Sequence, residues 1–144
     1  MSKPASIGVF DSGVGGLTVL RALRATLPEA RLIYVADSAY APYGDRTDAF
    51  LLERSRQVTR FLIEEGARLI VVACNTASAL ALEDLAPRMP VPLLGVVKPG
   101  AEAAVQSSAG RGIAVLATEA TVASEAYPRA IPALDPNIPV AQRQ

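Results

Sequence analysis

Histidine and tryptophan are absent from this 144-residue sequence, and cysteine occurs once, at position 74. Without histidine the chain holds no Ser-His-Asp or Cys-His pairing, no HExxH helix and no Cys/His zinc site. A single cysteine excludes an intrachain disulfide, which fits a reducing, cytoplasmic setting. No apolar run approaches the roughly 18 residues needed to span a bilayer. The segment Met1–Ser6 also lacks the apolar core of a signal peptide. Charge of one sign is not in excess either: 14 basic side chains face 14 acidic ones. Nothing in that balance points to a nucleic-acid or anionic-membrane partner. No internal repeat is evident.

What the sequence does have is a high apolar content, 51% of residues, arranged in alternating short runs and amphipathic stretches. Ile7 to Asp11 is a short apolar run closing on an acid. A glycine turn follows, Gly13-x-Gly15-Gly16, and then Leu17, Leu20, Leu23 and Leu27 at helical spacing, ended by Pro28. Leu32 to Ala36 runs into Asp37, and the Pro- and Gly-containing loop 38–45 comes next. Thr47 predicts a helix cap, with Leu51, Ser55, Val58 and Leu62 on one face and a stop at Gly66. Leu69 to Ala73 is a β-branched run that ends on Cys74, and an alanine-rich helical pattern follows to Pro87 and Pro90. Pro92 to Val97 and Gly112 to Ala117 are further strand candidates, with Ala101 to Val105 helical between them. Thr121, Ser124 and Tyr127 share a helical face by their spacing of three. Strand and helix alternating about five times predict an α/β fold with three layers, a parallel sheet covered by helices on both faces.

Such sheets bind ligands at the carboxyl ends of their strands. The groups Asp11, Ser12, Asp37, Ser38, Cys74, Asn75, Thr76, Lys98 and Thr118 all fall where predicted strands end, and are expected to share one rim. Cys74 is the focus. A thiol at a helix start is favoured as thiolate by unpaired N–H groups, whereas a lone cysteine in a strand is equally a small buried hydrophobe. The glycine turn departs from a dinucleotide fingerprint at Thr18 and lacks the G-K-[ST] of a P-loop, so it reads as a tight turn. Its N–H groups remain available to a carboxylate. Asp11 and Asp37 suit a hard metal ion or helix capping alike, and no metal is assigned to them.

Four ordered blocks, Ile7 to Leu20, Ala41 to Gly44, Val72 to Ser78 and Thr118 to Tyr127, resemble the cofactor-independent aspartate/glutamate racemase family. The resemblance implies interconversion of L- and D-glutamate by proton transfer between two thiols, one per face, supplying D-glutamate for peptidoglycan. It implies no cofactor, and glutamate as the small-molecule partner. Cys74 matches the first thiol and Asp11 the carboxylate that assists it. Ser12, Tyr43, Gly44, Asn75, Thr76, Thr118 and Thr121 match positions that hold the amino acid.

No cysteine or histidine follows residue 74, although the family carries its second cysteine in a later half. The expectation is therefore an N-terminal part of such an enzyme: residues 1–97 as an α/β domain bearing the first cysteine, and 98–144 as the beginning of a second. Pro128, Pro132, Pro136 and Pro139 leave little periodicity there, and Ile138 to Ala141 reads as a strand just starting. Uncovered apolar surface is expected to promote association, and a homodimer is one such assembly. Lys98 either alters the hinge or substrate access, or is a solvated lysine at a helix start. Aspartate racemisation, a non-catalytic carboxylate-binding module and a thiol enzyme using Cys74 as nucleophile are the alternatives in function.

Overall fold

The computed structural model describes residues 6–144, so the first five residues of the N-terminal segment lie outside it. Strands β1 (Ser6–Asp11), β2 (Arg31–Ala36), β3 (Ala67–Val72) and β4 (Leu93–Gly95) form one all-parallel sheet in the order β2-β1-β3-β4. β1 and β3 are therefore central, and their register sets Phe10 beside Val72. Side chains alternate across the pleat, so each strand feeds two cores. Val9, Val71 and Ala73 point to one face and meet Val19, Leu20 and Leu23 of α1 (Leu17–Thr26). Phe10, Ile70 and Val72 point to the other and meet Leu51, Val58 and Leu62 of α2 (Asp48–Glu64). Each large side chain fully buried this way contributes about 1.5–3 kcal/mol. The cap on α2 forms as its sequence predicts, with Thr47 Oγ1 accepting from Phe50 N–H at 3.3 Å.

The second half differs from a simple continuation of that sheet. β5 (Ile113–Leu116) does not join it but pairs in parallel with β6 (Val140–Arg143). This second sheet packs on α5 (Val97–Ser108) and α7 (Ala126–Leu134) around Ala101, Ile131 and Ile138. Repetition of strand and helix does not say which strands are neighbours. Here Pro92 to Val97 yields only a three-residue strand, after which the chain turns directly into α5. Lys98 consequently lies in the first turn of α5 and is exposed, as a solvated helix-start lysine would be.

Two other expectations are corrected. The helix after Cys74 is not continuous: α3 (Asn75–Leu80) and α4 (Leu82–Leu85) are separated at Ala81. The face shared by Thr121, Ser124 and Tyr127 is also broken, because α6 (Glu119–Ala123) ends at Ser124 and Glu125 takes a left-handed conformation before α7 begins. The proline-rich segment nevertheless forms α7. Pro128 sits in its first turn, where an amide hydrogen is not needed, and the fully buried Ile131 holds the helix against Ala101 despite Pro132.

Candidate active site

The carboxyl ends of β1 and β3 carry Asp11 and Cys74 to the middle of the main sheet. Asp11 is buried, and its Oδ2 accepts from the amides of Gly13 at 3.2 Å and Gly16 at 3.1 Å. Two N–H groups of the glycine turn, those of Gly13 and Gly16, are thus spent on the chain's own carboxylate. Gly16 is needed because a Cβ there would stand 2.8 Å from Asp11 Cβ and 2.9 Å from the Tyr34 hydroxyl. Tyr34 in turn donates to Gly13 O at 2.9 Å and fixes the turn.

Cys74 caps α3, its Sγ accepting from Ala77 N–H at 3.5 Å. The thiol also lies 3.8 Å from Ser12 Oγ, to which it donates. Burial pushes the Cys74 thiol above its ordinary range. The Ala77 amide opposes that shift, the Asp11 charge adds to it and Ser12 opposes it. The expected acidifying effect of the helix start is therefore outweighed, since only 5% of the residue is exposed and α3 is short.

A second group of polar residues closes over this rim from the other sheet. Thr118 caps α6, and its hydroxyl lies 3.0 Å from those of both Thr76 and Thr121, which are themselves 3.3 Å apart. Gly44 meets this triangle from the side: a Cβ on it would be 2.7 Å from Thr118 Cβ. Asn75, exposed at the start of α3, accepts a hydrogen bond on Oδ1 from the Tyr127 hydroxyl at 2.6 Å. Its amide nitrogen is thereby left as the side chain's donor.

Of the nine groups expected on one rim, Asp11, Ser12, Cys74, Asn75, Thr76 and Thr118 meet in this way, joined by Thr121. Asp37 has a different use. Its carboxylate takes the Tyr43 hydroxyl at 2.5 Å and a two-pronged ion pair from Arg54, at 2.7 Å from Nε and 2.6 Å from the terminal nitrogen. Burial alone would raise the Asp37 pKa, but the bonds from Arg54 and Tyr43 hold it below the usual carboxylate range. Tyr43 is itself buried, and burial together with the Asp37 carboxylate drives its phenol far above the ordinary value. Its hydroxyl is committed to Asp37, so Tyr43 reaches the rim through the backbone it shares with Gly44. Ser38 is exposed in a 3-10 turn and Lys98 is exposed in the first turn of α5. Arg54, Tyr34 and Tyr127 carry connections that no sequence spacing announced. Among the described residues no group of three or more acids or cysteines is arranged to hold a metal ion.

Residues 17–143 match the family model described as Asp/Glu/Hydantoin racemase. A glutamate racemase of Cupriavidus pinatubonensis is 47% identical over 133 residues, 92% of this chain and 48% of that protein. The solved glutamate racemase of Aquifex pyrophilus superposes with a TM-score of 0.91 at 43% identity, covering 96% of this chain and 54% of that one. That of Francisella tularensis, solved in complex with D-glutamate, gives 0.85 at 36% identity, covering 96% of this chain and 52% of that one. The chain thus spans about half the length of the relatives it matches. By the extent of the family match, and with the same α/β architecture, the chain belongs to the Asp/Glu/Hydantoin racemase family.

Proposed function

We propose that this chain supplies one face of a glutamate racemase site, with Cys74 exchanging the α-proton and Asp11 taking the proton of the thiol. The observation that carries the reading is the Cys74 thiol just past the end of a central strand, within reach of Ser12, with Thr76 two residues on in the same helix start joined to Thr118 and Thr121 in a triangle of hydroxyls. In this reading a boundary at 97/98 divides the lobe that holds this thiol from a second lobe that contributes Thr118 and Thr121.

The α-hydrogen of an amino acid is a weak acid, so its removal needs a base in contact and donors for the charge that develops on the adjacent carboxylate. Ser12, Asn75, Thr76, Thr118 and Thr121 offer hydroxyl and amide donors, and Tyr43 and Gly44 offer backbone groups. None of these is a fixed amine that would compete for the proton. In the resting site the thiol is protonated, because burial and Asp11 both disfavour the thiolate. An amino acid brings its α-ammonium beside the sulfur and reverses that balance. With Oδ2 of Asp11 held by two amides, Oδ1 is the atom assigned to accept the thiol proton. The thiolate then takes the α-proton, forming S–H and leaving the carbon pair delocalised into the carboxylate. Return of a proton to the opposite face needs a second acid. The chain's one cysteine is already placed on the first face, and the matched relatives are about twice as long.

The test is protection of the thiol. Cys74 alkylation by iodoacetamide is expected to slow in the presence of L- or D-glutamate and to respond less to aspartate. Indifference to glutamate would remove the substrate assignment, and stronger protection by aspartate would transfer it.

A further inference from the structure

Arg54 and Asp37 stand behind the site rather than in it. Arg54 projects from α2, stacks its guanidinium 3.9 Å from the centre of the Tyr40 ring, and grips both oxygens of the buried Asp37. Asp37 passes that restraint to the Tyr43 hydroxyl. Tyr43 and Gly44 belong to one short 3-10 turn, and Gly44 packs against Thr118 with no room for a methyl group. Thr118 then fixes Thr76 and Thr121 through its hydroxyl. The chain of contacts runs without interruption from an arginine on the outer helix to the hydroxyls at the rim.

We infer that Arg54, acting through Asp37, is a positioning residue that sets the Tyr43–Gly44 turn and thereby the spacing between the two sheets at the candidate site. The inference rests on the racemase reading for its consequence in turnover, but not for the brace itself. A planar, two-pronged donor is required, because one carboxylate must be held in orientation while it also receives a phenol. Lysine supplies the charge without the fork. Tyr43 is buried in an apolar cluster with Phe10, Leu51 and Cys74, so a bond lost there is costly.

A cycle of Arg54→Met, Tyr43→Phe and the double variant tests this, with Arg54→Lys as the conservative member. Two readouts are taken. The first is kcat and KM for glutamate in whatever α-proton exchange the protein performs. Each single change is expected to raise KM about tenfold, the scale of one lost charge-assisted bond. The double variant is expected to be no worse than the poorer single, and Arg54→Lys to recover part of the loss. Effects that multiply in the double variant, or complete rescue by lysine, would overturn the brace. The second readout is the backbone amide NMR signals of Gly44 and Thr118, which need no turnover. Arg54→Met is expected to shift both, and unshifted signals in a folded variant would also overturn it. Wild-type protein without exchange but with coupled NMR shifts would reject the racemase reading and keep the brace.

Discussion

Gly44 and Thr118 approach so closely that a methyl group on the glycine would lie 2.7 Å from Thr118 Cβ and 2.9 Å from its Cγ2. This is where the loop after β2, attached to the first sheet, meets the strand-to-helix turn after β5 of the second. Gly44→Ala is expected to cost about 1–3 kcal/mol, the usual range for inserting a methyl group into a packed contact. Gly13→Ala, which meets nothing within 4 Å and keeps its N–H, is the control and is expected to be close to neutral. Denaturant unfolding of the two variants checks the contrast, and equal losses would show that the contact does not hold the sheets.

Cys74 is expected to react as a high-pKa thiol. Because burial raises its pKa in the folded state, the thiol contributes stability that is fully present below the unfolded pKa. That contribution is lost as pH rises through the folded value. The rate of alkylation against pH in the free protein is therefore displaced to the alkaline side of an ordinary cysteine. A profile already acidic in the free protein would contradict the dominance of burial.

Asp37 gives the opposite sign. Its folded pKa is depressed, so its contribution is present above the unfolded pKa and is lost as pH falls through the folded one. Asp37→Asn is expected to be less stable than the wild type at neutral pH, with the difference closing in acid. A difference independent of pH would mean that packing rather than the ion pair with Arg54 accounts for the loss.

Tyr127 orients Asn75. Removing its hydroxyl in Tyr127→Phe frees the Asn75 amide to rotate, and is expected to raise KM for glutamate several-fold with kcat little changed, since one neutral hydrogen bond is worth about 0.5–1.5 kcal/mol. A fall in kcat at constant KM would place Tyr127 in the proton transfer instead.

The residues themselves announced a good deal of this. β-branched runs ending on Asp11 and Cys74 gave the strands and their functional ends, because buried parallel strands have no polar alternation to obscure them. Thr47 gave the start of α2, and its buried face followed from period alone. The pairing of β5 with β6 was illegible, since hydrophobic pattern encodes burial and not the identity of neighbours. So was the fate of Asp37. A strand-end carboxylate looks the same in sequence whether it faces a ligand or an arginine on the next helix, and Arg54 lies among charged neighbours of α2 that look equally solvated. α7 was missed because two prolines dominate local propensity, whereas burial of Ile131 decides the outcome. The choice between an acidic and a buried thiol at position 74 was open for a related reason: a helix start is visible in sequence, but the depth of burial that opposes it is not.

The central claim is that Cys74 exchanges the α-proton of glutamate, and proton NMR in D₂O tests it most directly. Wild-type protein and Cys74→Ser are each incubated with L- and with D-glutamate, and the α-proton signal is followed. The account predicts loss of that signal from at least one enantiomer with wild-type protein, and a rate lower by roughly 10²–10⁴-fold in Cys74→Ser, the range for a positioned general base. Exchange that proceeds equally well with serine at position 74 would contradict it.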